Sequence, residues 1–290
     1  LCHMNSFILA ARPKTLPAAI VPVWMGCVLT YDITGVWDMG LAIFTLMGAV
    51  FIQIGTNFFN DAIDADKGAD TDARLGPIRA TASGRLSRRT VYLSAIISLL
   101  LASVCGYFLI EARGWPILVI GVASLYFAYG YTGGPLPLAY KGLGEVFVIL
   151  FFGLVAVNGT VYVQTGEWYR EALYMGVAIG CLSAVLISVN NLRDVDEDRG
   201  NGKNTLAVKC GRGNAINLVR IMTATPYVIA IFMDDFGWKM LAFFPPFALG
   251  LFIINRICSE LPGPRYNKYL AFAPLQLILF ATAVTLVVIL

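Results

Sequence analysis

Two acidic clusters each end an apolar run in a chain that otherwise avoids charge. Their polar residues recur at helical spacing, i, i+3, i+4 and i+7 in the first cluster and i, i+4 and i+8 in the second, so each set is expected along one helix face. The first acidic cluster comprises Asn57, Asn60, Asp61 and Asp64, and the second comprises Asn190, Asp194 and Asp198. Ionisable groups at membrane depth are costly unless paired, solvated or bound to metal, which makes these carboxylates candidate functional groups.

Facing carboxylates can hold divalent cations. Mg²⁺ in particular is usually held by one or two carboxylates together with water and substrate phosphate oxygens. The pattern therefore implies a substrate that carries a diphosphate. Basic residues close to both clusters could contact that diphosphate: Arg74, Arg79, Arg199 and Lys203. For other cations of the first polar loop, such as Arg85, Arg88 and Arg89, a role in setting membrane topology is favoured.

The composition identifies the elements that must position these clusters. The chain of 290 residues is 58% hydrophobic and 13% charged, and its mean hydropathy is +0.73. These values predict an all-α, polytopic membrane protein. The net charge of +3 is too small to indicate a nucleic-acid partner.

Nine apolar runs are long enough to cross a bilayer, which takes roughly 17 to 25 residues. They lie at about 16–31, 39–59, 90–110, 115–132, 143–164, 171–192, 214–233, 238–255 and 269–290. The first cluster then ends span two and the second ends span six. This echo suggests two related halves whose acidic ends face each other across a central cavity. The polar segments 60–89 and 193–213 are expected to cap the site.

Lysine and arginine are distributed asymmetrically between the two sides. With nine spans, one side carries only Arg113, Arg170 and Lys239. The positive-inside rule then predicts a cytoplasmic amino terminus, cytoplasmic acidic clusters and an external carboxyl terminus in a plasma (bacterial inner) membrane. Residues 1–3 read as a cloning remnant, which leaves residues 4–290 as a single domain without a cleavable signal peptide. The only histidine, His3, falls in that remnant, which argues against a histidine base.

The residues also carry a resemblance. Asn60-Asp61-x-x-Asp64 after span two, Asp194-x-x-x-Asp198 after span six and the nine spans resemble the UbiA superfamily of intramembrane aromatic prenyltransferases. Five further segments, across most of the chain, resemble its 1,4-dihydroxy-2-naphthoate branch. They are Arg12-Pro-Lys-Thr-Leu-Pro17, Asp72-Ala-Arg-Leu-Gly-Pro77, Tyr131-Thr-Gly-Gly-Pro135, Lys141-Gly-Leu-Gly-Glu145 and the run from Asn190 to Leu206.

The resemblance implies an electrophilic alkylation. Two Mg²⁺ ions would bind a polyprenyl diphosphate, with Asp64, Asp194 and Asp198 as ligands and Asp61 assisting. Pyrophosphate would depart, the naphthoate ring would attack the allylic cation, and CO₂ would leave from the substituted carbon. Remaining substrate contacts are implied for Asn60, Asn190, Tyr131, Lys141 and Lys14.

One departure concerns the first metal site. Many superfamily members carry an aspartate four residues after the position of Asp64, where this chain has Gly68. The naphthoate branch commonly lacks it too, so the departure supports the narrower assignment. Asp61, Asp66 or Asp70 could complete the site, and Asp61 is favoured because it shares the helix face.

Two alternatives remain open at this stage. A related prenyltransferase could use another aromatic acceptor, such as 4-hydroxybenzoate or homogentisate, because the metal and diphosphate residues do not distinguish acceptors. An ion-coupled transporter would also carry membrane carboxylates, but it would place them within spans rather than at span ends. The sequence leaves open the donor's length and the oligomeric state.

Overall fold

The computed structural model describes residues 2–68, 75–76, 79–233 and 237–290. Within these ranges every regular element is helical. Among these described residues, eight helices are long and apolar enough to cross a membrane, and Trp115–Gly130 is a shorter apolar helix. The predicted all-α, polytopic architecture is therefore confirmed, with eight helices of spanning length where about nine spans were predicted.

The helices are numbered here in chain order. The first four are α1 Cys2–Ala11, α2 Pro17–Thr34, α3 Met39–Asp66 and α4 Arg88–Arg113. The next four are α5 Trp115–Gly130, α6 Gly144–Thr165, α7 Arg170–Arg193 and the short α8 Val195–Gly200. The last three are α9 Leu206–Met233, α10 Phe244–Ser259 and α11 Tyr266–Ile289. Short 3₁₀ turns lie at Pro13–Thr15, Leu138–Tyr140 and Gly237–Phe243.

Two helices extend beyond the apolar runs that predicted them. Helix α3 continues to Asp66 instead of ending near residue 59, so Asp61 and Asp64 lie in its last turns and not in a loop. Helix α9 begins at Leu206 instead of 214 and contains a non-helical residue, Gly211. Hydropathy marks where a chain can be lipid-embedded, whereas helical hydrogen bonding continues through polar residues until a breaker intervenes.

Helix α7 is the most buried of the spans, with 72% of its apolar window inside the protein. It packs against a π-helical section of α6, Ile149–Val155, through three glycines. A Cβ atom on Gly153 would lie 2.2 Å from the carbonyl oxygen of Gly176, and one on Gly180 would lie 2.7 Å from that of Ile149. Small residues let two helix backbones approach closely in a membrane. This contact fixes the start of α6 against the polar end of α7.

A central cavity of about 990 Å³ lies between the helices. Both acidic clusters line it, together with the start of α6 and residues of α11. Its other lining residues are largely apolar and include Leu109, Ile117 and Val163 at the ends of their helices. The cavity therefore combines a polar region at the carboxyl ends of α3 and α7 with a long apolar extension.

Candidate active site

The first acidic cluster lies on the last turns of α3. Asp64 is 6% exposed; its Oδ2 pairs with Nη2 of Arg79 at 2.6 Å, and its Oδ1 accepts a 2.8 Å hydrogen bond from the hydroxyl of Tyr140. Asp61 is 1% exposed and accepts hydrogen bonds from the backbone amides of Ala80 and Thr81, at 3.1 and 2.8 Å. Asp61 thus anchors the turn that presents Arg79 to Asp64.

The amides of this cluster hold neighbouring chain segments. Asn57 donates to the carbonyl of Ala11 at 2.8 Å and to the hydroxyl of Thr15 at 2.9 Å, which ties the α1–α2 connection to α3. The side-chain oxygen of Asn60 accepts a hydrogen bond from the hydroxyl of Thr132, just after α5. Asn57 therefore has a structural part in shaping the cavity entrance.

The second acidic cluster begins where α7 ends. Asp194 follows the last helical residue and accepts two hydrogen bonds of 2.6 Å from the guanidinium of Arg193. The same guanidinium donates to Oδ1 of Asn190 at 2.9 Å and to Oδ1 of Asn267 at 2.7 Å. Arg193 is among the largest fully buried side chains of the described structure. Its four contacts hold Asp194 rigidly at the cavity wall.

Asp198 lies on α8, one turn beyond Asp194. Its Oδ1 lies 3.3 Å from Nζ of Lys203. Its Oδ2 is buried and has no hydrogen-bond partner among the described residues. Burial raises the pKa of Asp198 to about 6, and the nearby Lys203 opposes this rise. A buried carboxylate oxygen without a partner is costly, which marks Oδ2 as a position for a ligand or metal.

Most of the predicted site residues line the central cavity. They are Asp61, Asp64, Asp194, Asp198, Asn60, Asn190, Arg79, Tyr131, Lys203 and Lys14. Lys141 and Arg199 are exposed and do not line it: the carbonyl of Lys141 accepts a hydrogen bond from Lys209, and Arg199 lies 3.5 Å from Asp196. Arg74 falls outside the described residues.

Four residues of the site carried no individual prediction. Arg193 and Tyr140 hold the aspartates, and Glu145 lines the cavity from the start of α6. Arg12 also lines the cavity and, with φ 52°, is the one described non-glycine residue in the left-handed region. Such backbone strain is often kept at functional sites. Arg12, Glu145 and Arg193 do lie within the motifs quoted above, but helical spacing alone did not assign them a role.

The donor set fits a Mg²⁺ site that the substrate completes. In the part of the chain that the structure describes, no three histidine, cysteine, aspartate or glutamate side chains come together as a metal site. Instead carboxylates from α3 and from α7–α8 line one cavity, and Asp198 offers a free oxygen. Mg²⁺ is commonly bound in this way, by a few carboxylates, water and phosphate oxygens.

Comparison with known proteins identifies the family. The model of the UbiA prenyltransferase family matches residues 19–287. The chain belongs to the UbiA prenyltransferase family. It is therefore a membrane-embedded prenyltransferase, and the transporter alternative is set aside.

Relatives of this UbiA protein cover most of its length. The 1,4-dihydroxy-2-naphthoate octaprenyltransferase of Mycobacterium leprae is 34% identical over 280 residues, which span 96% of this chain and 94% of that protein. The enzyme of the same name from Haemophilus influenzae is 35% identical over 69% of this chain and 68% of its own length. A UbiA homologue from Archaeoglobus fulgidus, solved with GPP and Mg²⁺, superimposes with a TM-score of 0.69 at 17% identity, over 98% of this chain and 100% of that one. That likeness confirms the fold.

Proposed function

We propose that this protein transfers a polyprenyl group from polyprenyl diphosphate to 1,4-dihydroxy-2-naphthoate, with release of pyrophosphate and CO₂. The product would be a demethylmenaquinol, which places the enzyme in menaquinone biosynthesis. The observation that carries the proposal is the single cavity that joins two acidic clusters to a long apolar extension. A prenyl diphosphate has this same division, with a charged head and an apolar tail.

Mg²⁺ would be held by Asp64 from the first cluster and by Asp194 and Asp198 from the second, with Asp61 nearby. When bound, two Mg²⁺ ions would supply positive charge that neutralises the diphosphate as it departs. A UbiA homologue from Archaeoglobus fulgidus with the same fold was solved with GPP and Mg²⁺, which supports a requirement for Mg²⁺. The unpartnered Oδ2 of Asp198 supports Asp198 as a metal ligand independently, because that oxygen lacks a protein donor.

Cations of the cavity would bind the anionic parts of the substrates. Arg79 and Lys203 now pair with Asp64 and Asp198, at 2.6 and 3.3 Å, and both line the cavity. Each is therefore positioned to contact a diphosphate that lies between the clusters. Lys14 and Arg12 lie at the α1–α2 connection, line the cavity and would contact the acceptor's carboxylate. A charged hydrogen bond of this kind contributes more than a neutral one.

An aromatic wall would receive the allylic part of the donor. Phe127, Phe147 and Phe151 line the cavity, with ring centroids 4.4 to 5.3 Å apart. The ring of Tyr131 follows at 5.4 Å from that of Phe147. The faces of aromatic rings attract cations and exclude water. This wall would favour transfer to the acceptor over capture of the cation by water.

The choice of acceptor is supported by the curated relatives, which carry the naphthoate name at 34% and 35% identity. Polyprenyl donors are likewise suggested by those relatives, which are octaprenyltransferases. We also propose that the protein lies in the plasma membrane with both acidic clusters on the cytoplasmic side and the carboxyl terminus outside. The support for this orientation is the asymmetry of lysine and arginine.

Purified protein in detergent or nanodiscs should be given Mg²⁺, geranyl to octaprenyl diphosphates and one of three acceptors: 1,4-dihydroxy-2-naphthoate, 4-hydroxybenzoate or homogentisate. We expect prenylated product with the naphthoate, and one CO₂ per product when the carboxyl carbon is isotopically labelled. Product that retains the carboxylate would contradict the decarboxylating route. Equal rates with 4-hydroxybenzoate would contradict the naphthoate assignment while leaving the prenyltransferase intact.

A further inference from the structure

A buried carboxylate, Glu145, lies at the start of α6. Neither the proposed metal binding nor the proposed diphosphate binding uses it. Glu145 is 4% exposed and lines the central cavity. Its Oε1 accepts a 2.9 Å hydrogen bond from the side chain of Asn191 and lies 3.5 Å from the hydroxyl of Ser188. Its Oε2 is buried and has no hydrogen-bond partner among the described residues. One half of the carboxylate is therefore fixed while the other half is unsatisfied.

This arrangement is costly for the protein alone. A buried acceptor without a hydrogen-bond donor destabilises the protein, and more so if it is charged. No lysine or arginine of the described chain pairs with Glu145 within 4.0 Å, and its two fixed donors, Asn191 and Ser188, are both neutral. A hydrogen-bond donor that arrives with a substrate would remove the cost. Because Oε2 belongs to a cavity-lining residue, that donor would come from the cavity.

The position of Glu145 relative to the second acidic cluster indicates which substrate group would donate this hydrogen bond. Asn191, which holds Oε1, lies on α7 three residues before Asp194, within about one helical turn or 5 Å along the axis. Next to Glu145, a Cβ atom at Gly144 would lie 3.1 Å from the hydroxyl of Tyr131, so the backbone at the start of α6 packs closely against that residue. Glu145 therefore lines the part of the cavity beside the aromatic wall, where a ring acceptor would meet the allylic carbon.

Resting on the proposed function, we propose that Glu145 is a catalytic residue that accepts the hydrogen bond, and then the proton, of the acceptor's 1-hydroxyl group. This hydroxyl is adjacent to the ring carbon that bears the carboxylate. Glu145 would thus take a proton from a hydroxyl oxygen of the acceptor. The attacked carbon needs no base, because it loses CO₂ and not a proton.

The acceptor forms its new carbon–carbon bond as the donor loses pyrophosphate. The ring π electrons form the new bond from C2 to the allylic carbon, while the carbon–oxygen bond to the diphosphate breaks and its electron pair leaves with pyrophosphate. The O–H electron pair forms a carbonyl at C1, and the proton passes to Oε2 of Glu145. The product of this step is a β-keto acid anion. Its C2–carboxylate bond then breaks, CO₂ leaves, and the electron pair gives an enolate at C1 that recovers the proton from Glu145.

The substitution Glu145→Gln tests this role with little change of shape. A glutamine oxygen can still accept from Asn191 and Ser188, so only the free, anionic end is altered. We expect kcat with 1,4-dihydroxy-2-naphthoate to fall at least about a hundredfold, the scale of a lost general base. Acceptor-independent release of prenyl alcohol and pyrophosphate in the presence of Mg²⁺ should stay within about twofold of wild type, because the metal and diphosphate residues are untouched.

Glu260→Gln is the matched control. Glu260 is a partly buried glutamate that accepts a 2.7 Å hydrogen bond from the hydroxyl of Tyr269 and, like Glu145, has a buried oxygen without a partner, but it does not line the cavity. Its variant should keep kcat within about twofold. Glu145→Gln that turns over within about threefold of wild type, or that loses prenyl alcohol release in parallel with transfer, overturns the role of Glu145.

A substrate-side measurement avoids any dependence on variant folding. Wild-type enzyme should lose at least about a hundredfold in kcat when the 1-hydroxyl of the acceptor is methylated, and much less when the 4-hydroxyl is methylated. Equal losses for the two ethers overturn the inference. Wild-type protein that prenylates no naphthoate contradicts the proposed function, and this inference with it. An active wild type with an active Glu145→Gln variant contradicts the inference alone.

Discussion

Tyr140 donates a 2.8 Å hydrogen bond from its hydroxyl group to Oδ1 of Asp64, and so connects the first acidic cluster to the loop after the second. The carbonyl of Tyr140 accepts a hydrogen bond from the amide of Asn204 at 3.2 Å. Nζ of Lys203, the ion-pair partner of Asp198, lies 5.7 Å from the centroid of its ring. Tyr140 does not line the cavity. It orients groups that do.

We therefore expect Tyr140→Phe to weaken Mg²⁺ binding while keeping the ring. Loss of a partner that orients a metal ligand typically lowers metal affinity or activity about 10- to 100-fold. The Mg²⁺ concentration for half-maximal transfer should rise on this scale, with kcat at saturating Mg²⁺ less affected. Tyr126→Phe, at an exposed position of α5, serves as the control. An unchanged Mg²⁺ requirement in Tyr140→Phe would show that Asp64 does not depend on this contact.

Isosteric substitution of single aspartates should test each of them as a metal ligand. Asp64→Asn, Asp194→Asn and Asp198→Asn are each expected to lower kcat at least about a hundredfold, because each removes charge that would hold metal against the leaving group. Chelation by EDTA should abolish activity, and Mg²⁺ or Mn²⁺ should restore it. Asp196→Asn is the control, because its side chain is 82% exposed and lies outside the cavity. Near-normal turnover in any of the first three removes that residue from the metal site.

Asp198 predicts a pH dependence of stability in the metal-free protein. Burial raises its pKa from 3.8 to about 6. The folded state then holds the proton more tightly than the unfolded state, so this contribution is complete below pH 4 and is lost as the pH rises through 6. The difference corresponds to roughly 1–3 kcal/mol.

The comparison of wild type with Asp198→Asn isolates this effect, because other titrating groups are shared. Without metal, the wild-type midpoint of thermal unfolding should fall relative to that of the variant between pH 5 and pH 7. Adding Mg²⁺ with a non-hydrolysable prenyl diphosphate should reverse the loss in wild type only. A difference between the two proteins that is constant with pH would place the pKa of Asp198 outside this range.

Hydropathy and helical spacing were sufficient to predict the membrane class, most of the spans and a shared cavity for both acidic clusters. The ends of the helices were harder to predict from hydropathy, because the last turns of α3 are polar and yet remain helical. The hydrogen-bond partners of the site residues were harder still to predict from the sequence. Tyr140 reaches Asp64 across 76 residues, and Asn267 reaches Arg193 across 74, so neither contact leaves a local signal.

The same limit explains Lys141 and Arg199. Lys141 was placed near the substrate by the family resemblance and Arg199 by its closeness to the second acidic cluster, yet both residues are exposed and neither lines the cavity. One position in a turn or a short helix decides whether a long side chain faces the cavity or solvent. Periodicity cannot resolve that choice outside a regular helix.

Membrane orientation can be tested with single cysteines in a background whose native cysteines are replaced. Ala82→Cys lies in an exposed turn before α4, and Glu167→Cys lies in the exposed connection between α6 and α7. In intact cells, a membrane-impermeant maleimide should label Cys at 167 and not at 82, because the loop of Ala82 carries the excess of arginine. The reverse labelling would invert the orientation and place both acidic clusters outside.

The apolar extension of the cavity should set the longest donor that the enzyme accepts. Gly121 on α5 lines the cavity, and a Cβ atom there would meet no atom within 4 Å, so a larger side chain can be added without a clash in the protein. Gly121→Phe would fill part of the space needed by a long prenyl tail. Overfilling a site is costly for any ligand that must share the volume.

We therefore expect Gly121→Phe to lower kcat/KM for octaprenyl diphosphate at least about tenfold, a loss of about 1.4 kcal/mol, while geranyl diphosphate is used at close to the wild-type rate. Val119→Phe is the matched control, because Val119 is 57% exposed on the same helix and does not line the cavity. The measurement is the product distribution by mass when geranyl, farnesyl and octaprenyl diphosphates compete. An equal loss for all three donors would mean that the substitution affects the fold or the acceptor site. An unchanged product distribution would place the prenyl tail elsewhere, because the inserted ring would then lie outside its path.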